Sequence, residues 1–255
     1  MFEHFKEMKD NGALLDPFKP KWYWEQMKGW SLQAYMVWMF GIGTIFGITI
    51  ASPINFLSIM TLLAGLLGFT TVCSTTSGKR VNGVFGLVSA LIYVYVAFNA
   101  KNYNDIILQL SYIVLLDIPV LMSLGWTHIN KDNVKSLWVK GNSKLTSKHL
   151  SYTLLFFLVA FGLLYLWETK GTDSPRPIID SFASSIGITG AVLTTLRFKD
   201  TYFFWAFQGV MSCFLWGITF LQGGSSPVLL VVYLLYLLND VLAFTKSPWF
   251  SHKSK

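Results

Sequence analysis

The chain has 255 residues, of which 53% are hydrophobic and only 13% are charged. Soluble domains carry about 25% charged residues, so the composition excludes an ordinary soluble enzyme and a disordered chain. The net charge of +7 fits the excess of Lys and Arg on the cytoplasmic loops of membrane proteins. We therefore predict an inner-membrane protein in a lipid bilayer and no nucleic-acid partner.

Eight apolar runs follow a polar N-terminal segment. Residues 1–31 mix basic and acidic side chains and lack the early apolar region of a signal peptide, so we interpret them as a cytoplasmic or interfacial segment. Each later run is close to the length that crosses a bilayer as a helix. The predicted spans are 32–51, 54–73, 83–98, 106–125, 150–167, 178–196, 202–221 and 227–244, with a tail at 245–255.

The loops between these spans differ sharply in basic residues. Segments on the side of the N-terminus hold 17 Lys and Arg residues, and the loops on the other side hold 3. Cytoplasmic loops carry this excess. Eight spans with both termini in the cytoplasm are therefore predicted.

The chain also contains a weak internal repeat. A shift of 123 residues places Gly86 on Gly209 and Asp117 on Asp240, and aligns the spans and basic loops without a gap. Two parallel repeats bind their substrate between them near mid-membrane, although an unrelated bundle of eight helices is the alternative. The predicted all-α organisation is 1+3+1+3: an extra helix (32–51), a three-helix repeat (52–125), a cytoplasmic loop (126–149), a linking helix (150–167) and a second three-helix repeat (178–244).

Charged side chains inside the predicted spans are few. We interpret Asp117, Asp180 and Asp240 as the complete set. Asp180 is placed to cap a helix start; Asp117 and Asp240 are gate candidates or bind neighbouring helices. Cys73 and Cys213 lie in apolar runs, no histidine falls in a span, and catalytic motifs are absent. The chain is therefore predicted not to be an enzyme and to hold no metal or cofactor.

Aromatic and amide side chains are the remaining site candidates. Buried amides need partners, and aromatic faces beside amides suit a flat heterocycle with a polar sugar, although contacts between helices are the alternative role. We expect Trp205 to stack on the solute ring while Asn82, Gln109 and Asn239 donate or accept hydrogen bonds. The predicted binding residues are Asn82, Tyr93, Gln109, Tyr112, Tyr202, Trp205, Gln208, Trp216, Tyr233 and Asn239.

Several of these positions resemble the PnuC family of bacterial vitamin transporters, best known for nicotinamide riboside. The resemblance extends over residues 54–244. It is carried by Ser77–Gly86, Tyr93, Gln109–Tyr112, Lys199, the Tyr202-x-x-Trp205 pair, Trp216 and Tyr233–Asn239.

This resemblance implies a fold similar to the SWEET sugar transporters, a homotrimer and facilitated diffusion, with uptake driven by phosphorylation of the vitamin inside the cell. Relatives of the family carry thiamine, riboflavin or deoxynucleosides, which keeps these solutes open as alternatives. A SWEET-type sugar carrier and a multi-pass membrane enzyme or assembly factor without transport are the competing hypotheses.

Overall fold

A computed structural model describes residues 13–123, 129 and 133–250. Parts of the predicted N-terminal segment, of the loop 126–149 and of the tail lie outside these residues. Eight helices of the described chain are long and apolar enough to cross a membrane, and this confirms the predicted all-α membrane fold. They are α1 Leu32–Ile50, α2 Phe56–Thr76, α3 Asn82–Asn99, α4 Tyr103–Leu121, α5 Ser143–Gly171, α6 Pro177–Thr195, α7 Thr201–Leu221 and α8 Val228–Lys246.

Successive helices run in opposite directions, so the connections alternate between two faces of the bundle. We call the face at which α1 begins the N-terminal face, and the other the opposite face. A 3-10 helix, Ala13–Phe18, and a short helix, Pro20–Gln26, precede α1 at the N-terminal face. The Trp30 indole N–H donates to the carbonyl of Gln26 at 3.0 Å, which fixes the entry of the chain into α1.

Two helices reach beyond their predicted bounds and draw charged residues into the bundle. α4 begins at Tyr103, so that Asp105 lies in its first turn, where a helix favours a carboxylate. α5 begins at Ser143 behind an Asn142 cap and continues to Gly171, so that it includes Glu168. Both carboxylates are fully buried. The interpretation that Asp117, Asp180 and Asp240 are the complete set of charged residues in the spans is therefore wrong.

Six helices form a closed ring. α3 packs between α2 and α4, and α7 packs between α6 and α8. We call α2–α4 the first triple and α6–α8 the second. Contacts of α8 with α2, and of α4 with α6, join the two triples. Outside the ring, α1 packs on α2 and α8, and α5 packs on α6 and α4. The packing order is thus the same in both halves, and α1 and α5 occupy equivalent places. The likeness to SWEET transporters stays a prediction.

The helix α4 changes its hydrogen bonding in its last two turns. It is α-helical over Tyr103–Tyr112, π-helical over Ile113–Asp117 and α-helical again over Ile118–Leu121. Pro119 has no N–H to give to the carbonyl four residues earlier, which belongs to Leu115. The Thr195 hydroxyl of α6 donates to that carbonyl instead. This neighbouring helix therefore stabilises a turn that ends at Asp117.

Candidate functional site

A cavity lies inside the ring, in the half nearer the N-terminal face. It encloses about 870 Å³ between protein atoms, including its opening. Its wall comes from the last turns of α2, the first turns of α3 and α7, and the middle and later turns of α4 and α8. The lining residues are Gly68, Thr71, Val72, Thr75, Thr76, Gly86, Ser89, Tyr93, Gln109, Tyr112, Leu116, Asp117, Tyr202, Trp205, Gln208, Tyr233, Tyr236 and Asp240.

Most of the predicted binding residues meet in this cavity. Both gate candidates, Asp117 and Asp240, also line it. Helices of both triples contribute, as parallel repeats with a site between them require. The predicted residues in the lining are Tyr93, Gln109, Tyr112, Tyr202, Trp205, Gln208 and Tyr233.

Three predicted residues lie outside the lining. The Asn82 amide donates to the carbonyl of Lys79 at 2.7 Å, at the start of α3. The Asn239 amide donates to the Thr76 hydroxyl at 2.7 Å and joins α8 to α2. Trp216 is fully buried beyond the cavity, toward the opposite face. Of the three amides expected to hydrogen-bond a solute, only Gln109 reaches the wall.

Trp205 presents a ring whose polar atom already has a partner. Its indole N–H donates to the Thr194 hydroxyl at 3.0 Å. The ring meets Tyr112 edge-on, with 5.7 Å between centroids and 68° between planes. Since the N–H is used within the protein, Trp205 offers a solute its aromatic surface. Tyr112 on the other triple holds that surface in place.

The Gln109 amide is ready to bind a solute. The side chain is buried and makes no hydrogen bond to any other described residue. Neither amide atom is fully enclosed without a partner, so the amide borders the open space of the cavity. A polar group of a solute in the cavity would supply the missing partner.

Asp117 is seated in a notch of α3. A Cβ atom on Gly86 would collide with the Asp117 carboxylate, so the absence of a side chain at Gly86 makes room for it. Asp117 is 2% exposed, and its Oδ2 has no hydrogen-bond partner. The equivalent glycine, Gly209, instead faces the side chain of Leu237. The two equivalent aspartates are therefore held differently.

One carboxylate closes the cavity toward the opposite face. Asp105 Oδ2 accepts hydrogen bonds from the Tyr93 hydroxyl and from the Trp216 indole N–H, each at 3.1 Å. The Tyr93 and Tyr233 hydroxyls are 3.0 Å apart. Tyr93 and Trp216 are equivalent positions under the 123-residue shift. Helices of both triples thus converge on Asp105. We call the group formed by Asp105, Tyr93, Trp216 and Tyr233 the Asp105 latch.

Further polar contacts surround the latch at the opposite face. Asp180 was expected to cap its own helix, but it accepts a hydrogen bond from the backbone N–H of Asn104, at the start of α4, at 3.1 Å. The Asn104 amide also donates to Glu168 and to the Ser181 hydroxyl. These bonds connect α4, α5 and α6.

Sequence reasoning missed Asp105 because it assigned residues 99–105 to a loop. One signal could have found it: Asn102 stands three residues earlier, and a polar residue followed by an acidic one at this spacing is typical of a helix start.

The C-terminal segment closes the other end of the cavity. After α8 the chain turns back, and the Ser247 hydroxyl donates to the carbonyl of Thr76 at 2.9 Å. Trp249 is fully buried; its indole N–H donates to the carbonyl of Thr75 at 3.3 Å. Its ring lies edge-on to Tyr202, 5.7 Å away. Thr75, Thr76 and Tyr202 all line the cavity, so Trp249 covers its mouth at the N-terminal face.

Comparison with known proteins gives a consistent answer. The sequence model of a family described as nicotinamide mononucleotide transporter matches residues 58–250. The chain belongs to this family. It is therefore a multi-pass membrane transporter, as predicted, and not an enzyme.

Two relatives and one solved structure support this assignment. The chain is 25% identical over 230 residues to the nicotinamide riboside transporter PnuC of Neisseria mucosa, covering 88% of this chain and 83% of that protein. It is 25% identical over 187 residues to PnuC of Haemophilus influenzae, covering 72% and 77%. A crystal structure of the vitamin B3 transporter PnuC matches with a TM-score of 0.70 at 20% identity, over 91% of this chain and 96% of that one. The family resemblance is thus confirmed, and the structural match shows the shared fold.

Proposed function

We propose that this chain carries nicotinamide riboside across the bacterial cell membrane by facilitated diffusion. Both named relatives are nicotinamide riboside transporters. The cavity between the triples combines an aromatic surface at Trp205, an unpartnered amide at Gln109 and several hydroxyl groups. A flat pyridinium ring with a ribose matches this combination, because the ring can stack while the sugar hydroxyls form hydrogen bonds.

The charge of the cavity favours the riboside over its phosphate ester. Among the described residues, no Lys, Arg or His lines the cavity, whereas Asp117 and Asp240 do. A phosphate group is bound by Arg, Lys or clustered backbone N–H groups, and carboxylates repel it. The cavity therefore favours the unphosphorylated riboside over the mononucleotide that the family description names.

Trp205 and Gln109 have the central roles in this proposal. The indole of Trp205 stacks on the nicotinamide ring, and the amide of Gln109 bonds a ribose hydroxyl or the carboxamide. Tyr93, Tyr112, Tyr202, Gln208 and Tyr233 complete the wall. Asn82, Asn239 and Trp216 act by positioning helix ends and the latch.

The proposal also covers the direction of transport and the oligomeric state of the chain. The 17-to-3 distribution of basic residues supports cytoplasmic termini, which makes the N-terminal face the cytoplasmic one. We infer that uptake is driven by phosphorylation of the riboside inside the cell, and that the chain forms a homotrimer as the family resemblance implies.

Counterflow in proteoliposomes tests the proposal. Vesicles loaded with unlabelled nicotinamide riboside should take up the labelled compound without a proton or sodium gradient, and an enzyme would not exchange an unmodified solute. Excess nicotinamide mononucleotide should compete poorly. Thiamine, riboflavin and a deoxynucleoside serve as competitors for the alternative substrates. Exchange that occurs only when a pH gradient is imposed, or exchange that only thiamine or riboflavin supports, would contradict the proposal.

A further inference from the structure

Asp117 and Asp240 contribute two carboxylates to the cavity wall. Among the described residues, no Lys, Arg or His lines the cavity to balance their charge. Arg80 precedes α3; its guanidinium donates to the carbonyl of Leu121, at the end of α4, at 2.7 Å and lies 3.9 Å from the carboxylate of Asp16. Arg80 is not part of the lining. The electrostatic character of the cavity is therefore set by Asp117 and Asp240.

Asp117 is the more firmly held of the two. It ends the π-helical turn that Thr195 stabilises through the carbonyl of Leu115, and π-helical turns occur frequently at functional sites. Its carboxylate occupies the notch left by Gly86. One buried oxygen remains without a partner. A fixed, unpartnered carboxylate in a cavity wall is suited to face a positive charge.

We propose that Asp117 selects solutes that carry a permanent positive charge on their aromatic ring, such as an N-alkylated pyridinium. This rests on the proposed function in that the same cavity holds the solute, and it adds the residue and the charge that discriminate. Because Asp117 is almost completely buried, attraction between its carboxylate and the ring is screened less than in water. Removal of the ring charge leaves the shape of the solute almost unchanged, so shape and charge can be tested separately.

A pair of ligands that differ in charge tests this directly. Nicotinamide riboside is cationic, and its 1,4-dihydro form is neutral with nearly the same outline. The affinities of both are measured by calorimetry on the purified full chain. Wild type should bind the cation more tightly, and Asp117→Asn should reduce the ratio of the two affinities by about tenfold or more. The neutral ligand should lose little.

Asp240→Asn is the matched control, since Asp240 is the repeat equivalent of Asp117 and lines the same cavity. It should change the ratio less than Asp117→Asn does. Equal affinity of wild type for the two ligands would overturn the inference, and this result needs no variant to fold. An equal loss of both ligands in Asp117→Asn, in protein whose melting temperature is preserved, would also overturn it.

The outcomes separate this inference from the proposed function. Binding of both ribosides with no charge preference refutes the role of Asp117 and leaves nicotinamide riboside transport intact. If wild type binds neither riboside, the proposed substrate is wrong, and the ratio is measured for thiamine and its neutral analogue 3-deazathiamine. A preference for thiamine that Asp117→Asn removes would then support the charge role on its own. Binding of neither pair overturns both proposals.

Discussion

Toward the opposite face, the cavity ends at a carboxylate that collects hydrogen bonds from both triples, whereas toward the N-terminal face it ends under an aromatic side chain of the C-terminal segment. Asp105 of α4 accepts hydrogen bonds from Tyr93 of α3, in the same triple, and from Trp216 of α7, in the other triple. Separation of the triples must therefore break the bond to Trp216. Trp249 lies in the short segment after α8, which is held to the end of α2 by the hydrogen bonds of Ser247 and Trp249 to the carbonyls of Thr76 and Thr75. The first end depends on the arrangement of whole helices, and the second on a few residues.

Replacement of Asp105 should have the largest effect on the contact between the two triples. Asp105→Ala leaves the buried indole N–H of Trp216 without its acceptor, and the Tyr93 hydroxyl keeps only Tyr233. An orphaned buried donor costs about 1–3 kcal/mol, so the melting temperature of the purified protein should fall clearly. Asp105→Asn keeps an acceptor oxygen and should fall less. Equal melting of the two variants would show that the hydrogen bonds of the latch do not hold the triples together.

Trp249→Ala should open the cavity toward the N-terminal face, because it removes the ring that packs on Tyr202. Trp249 is also fully buried, so labelling is measured at a temperature at which the variant is still folded. The reporter is Thr71→Cys, a lining position, in a chain whose Cys73 and Cys213 are replaced. A membrane-impermeant thiol reagent applied at the N-terminal face should label Thr71→Cys several-fold faster when Trp249→Ala is added.

Phe250→Ala is the control for this experiment, because Phe250 also packs on Tyr202 but is less buried than Trp249. It should accelerate labelling less. Unchanged labelling in Trp249→Ala would mean that Trp249 does not limit access to the cavity.

The smallest effect is expected at the rim of the opposite face. The exposed carboxylate of Asp173 accepts hydrogen bonds from Lys101 and from the Tyr103 hydroxyl. Both bonds lower the pKa of Asp173, and the bond from Lys101 has the larger effect. A lowered folded-state pKa contributes stability that is present at neutral pH and is lost as the pH falls below about 4.

Because Asp173 is exposed, this contribution is small. Asp173→Asn should slightly flatten the acid side of a plot of melting temperature against pH and leave the neutral region almost unchanged. A large drop at neutral pH would contradict the assignment of Asp173 to a solvated surface pair.

The eight helices could be predicted because apolar runs of membrane-spanning length alternate with polar loops along the chain. That the two triples are repeats of each other stays a prediction. The place of Asp105 could not be predicted, since a three-residue change in the start of α4 moves it from a loop into the core. Trp249 follows the last apolar run, where an aromatic residue is typical of the membrane interface. Only the packing of the folded chain shows that it turns back onto Tyr202.

The amide side chains predicted for the site show the same limit of prediction from sequence. Gln109 and Asn239 are both polar residues in apolar helices, and the sequence assigns them equal roles. The rotation of α4 directs Gln109 into the cavity, while that of α8 directs Asn239 to Thr76. Such rotations are set by contacts such as the fit of Asp117 against Gly86, which link residues far apart in sequence.

The most direct test of the central claim, that the solute binds in this cavity against Trp205, is a joint measurement of affinity and melting on Trp205 variants. Aromatic stacking contributes about 0.5–1.5 kcal/mol beyond the burial of area, so Trp205→Ala should bind nicotinamide riboside roughly tenfold or more weakly than wild type. Trp205→Phe should lose much less. Unchanged affinity in Trp205→Ala together with a lowered melting temperature would contradict the account, because Trp205 would then serve only the packing of α7 against Tyr112 and Thr194.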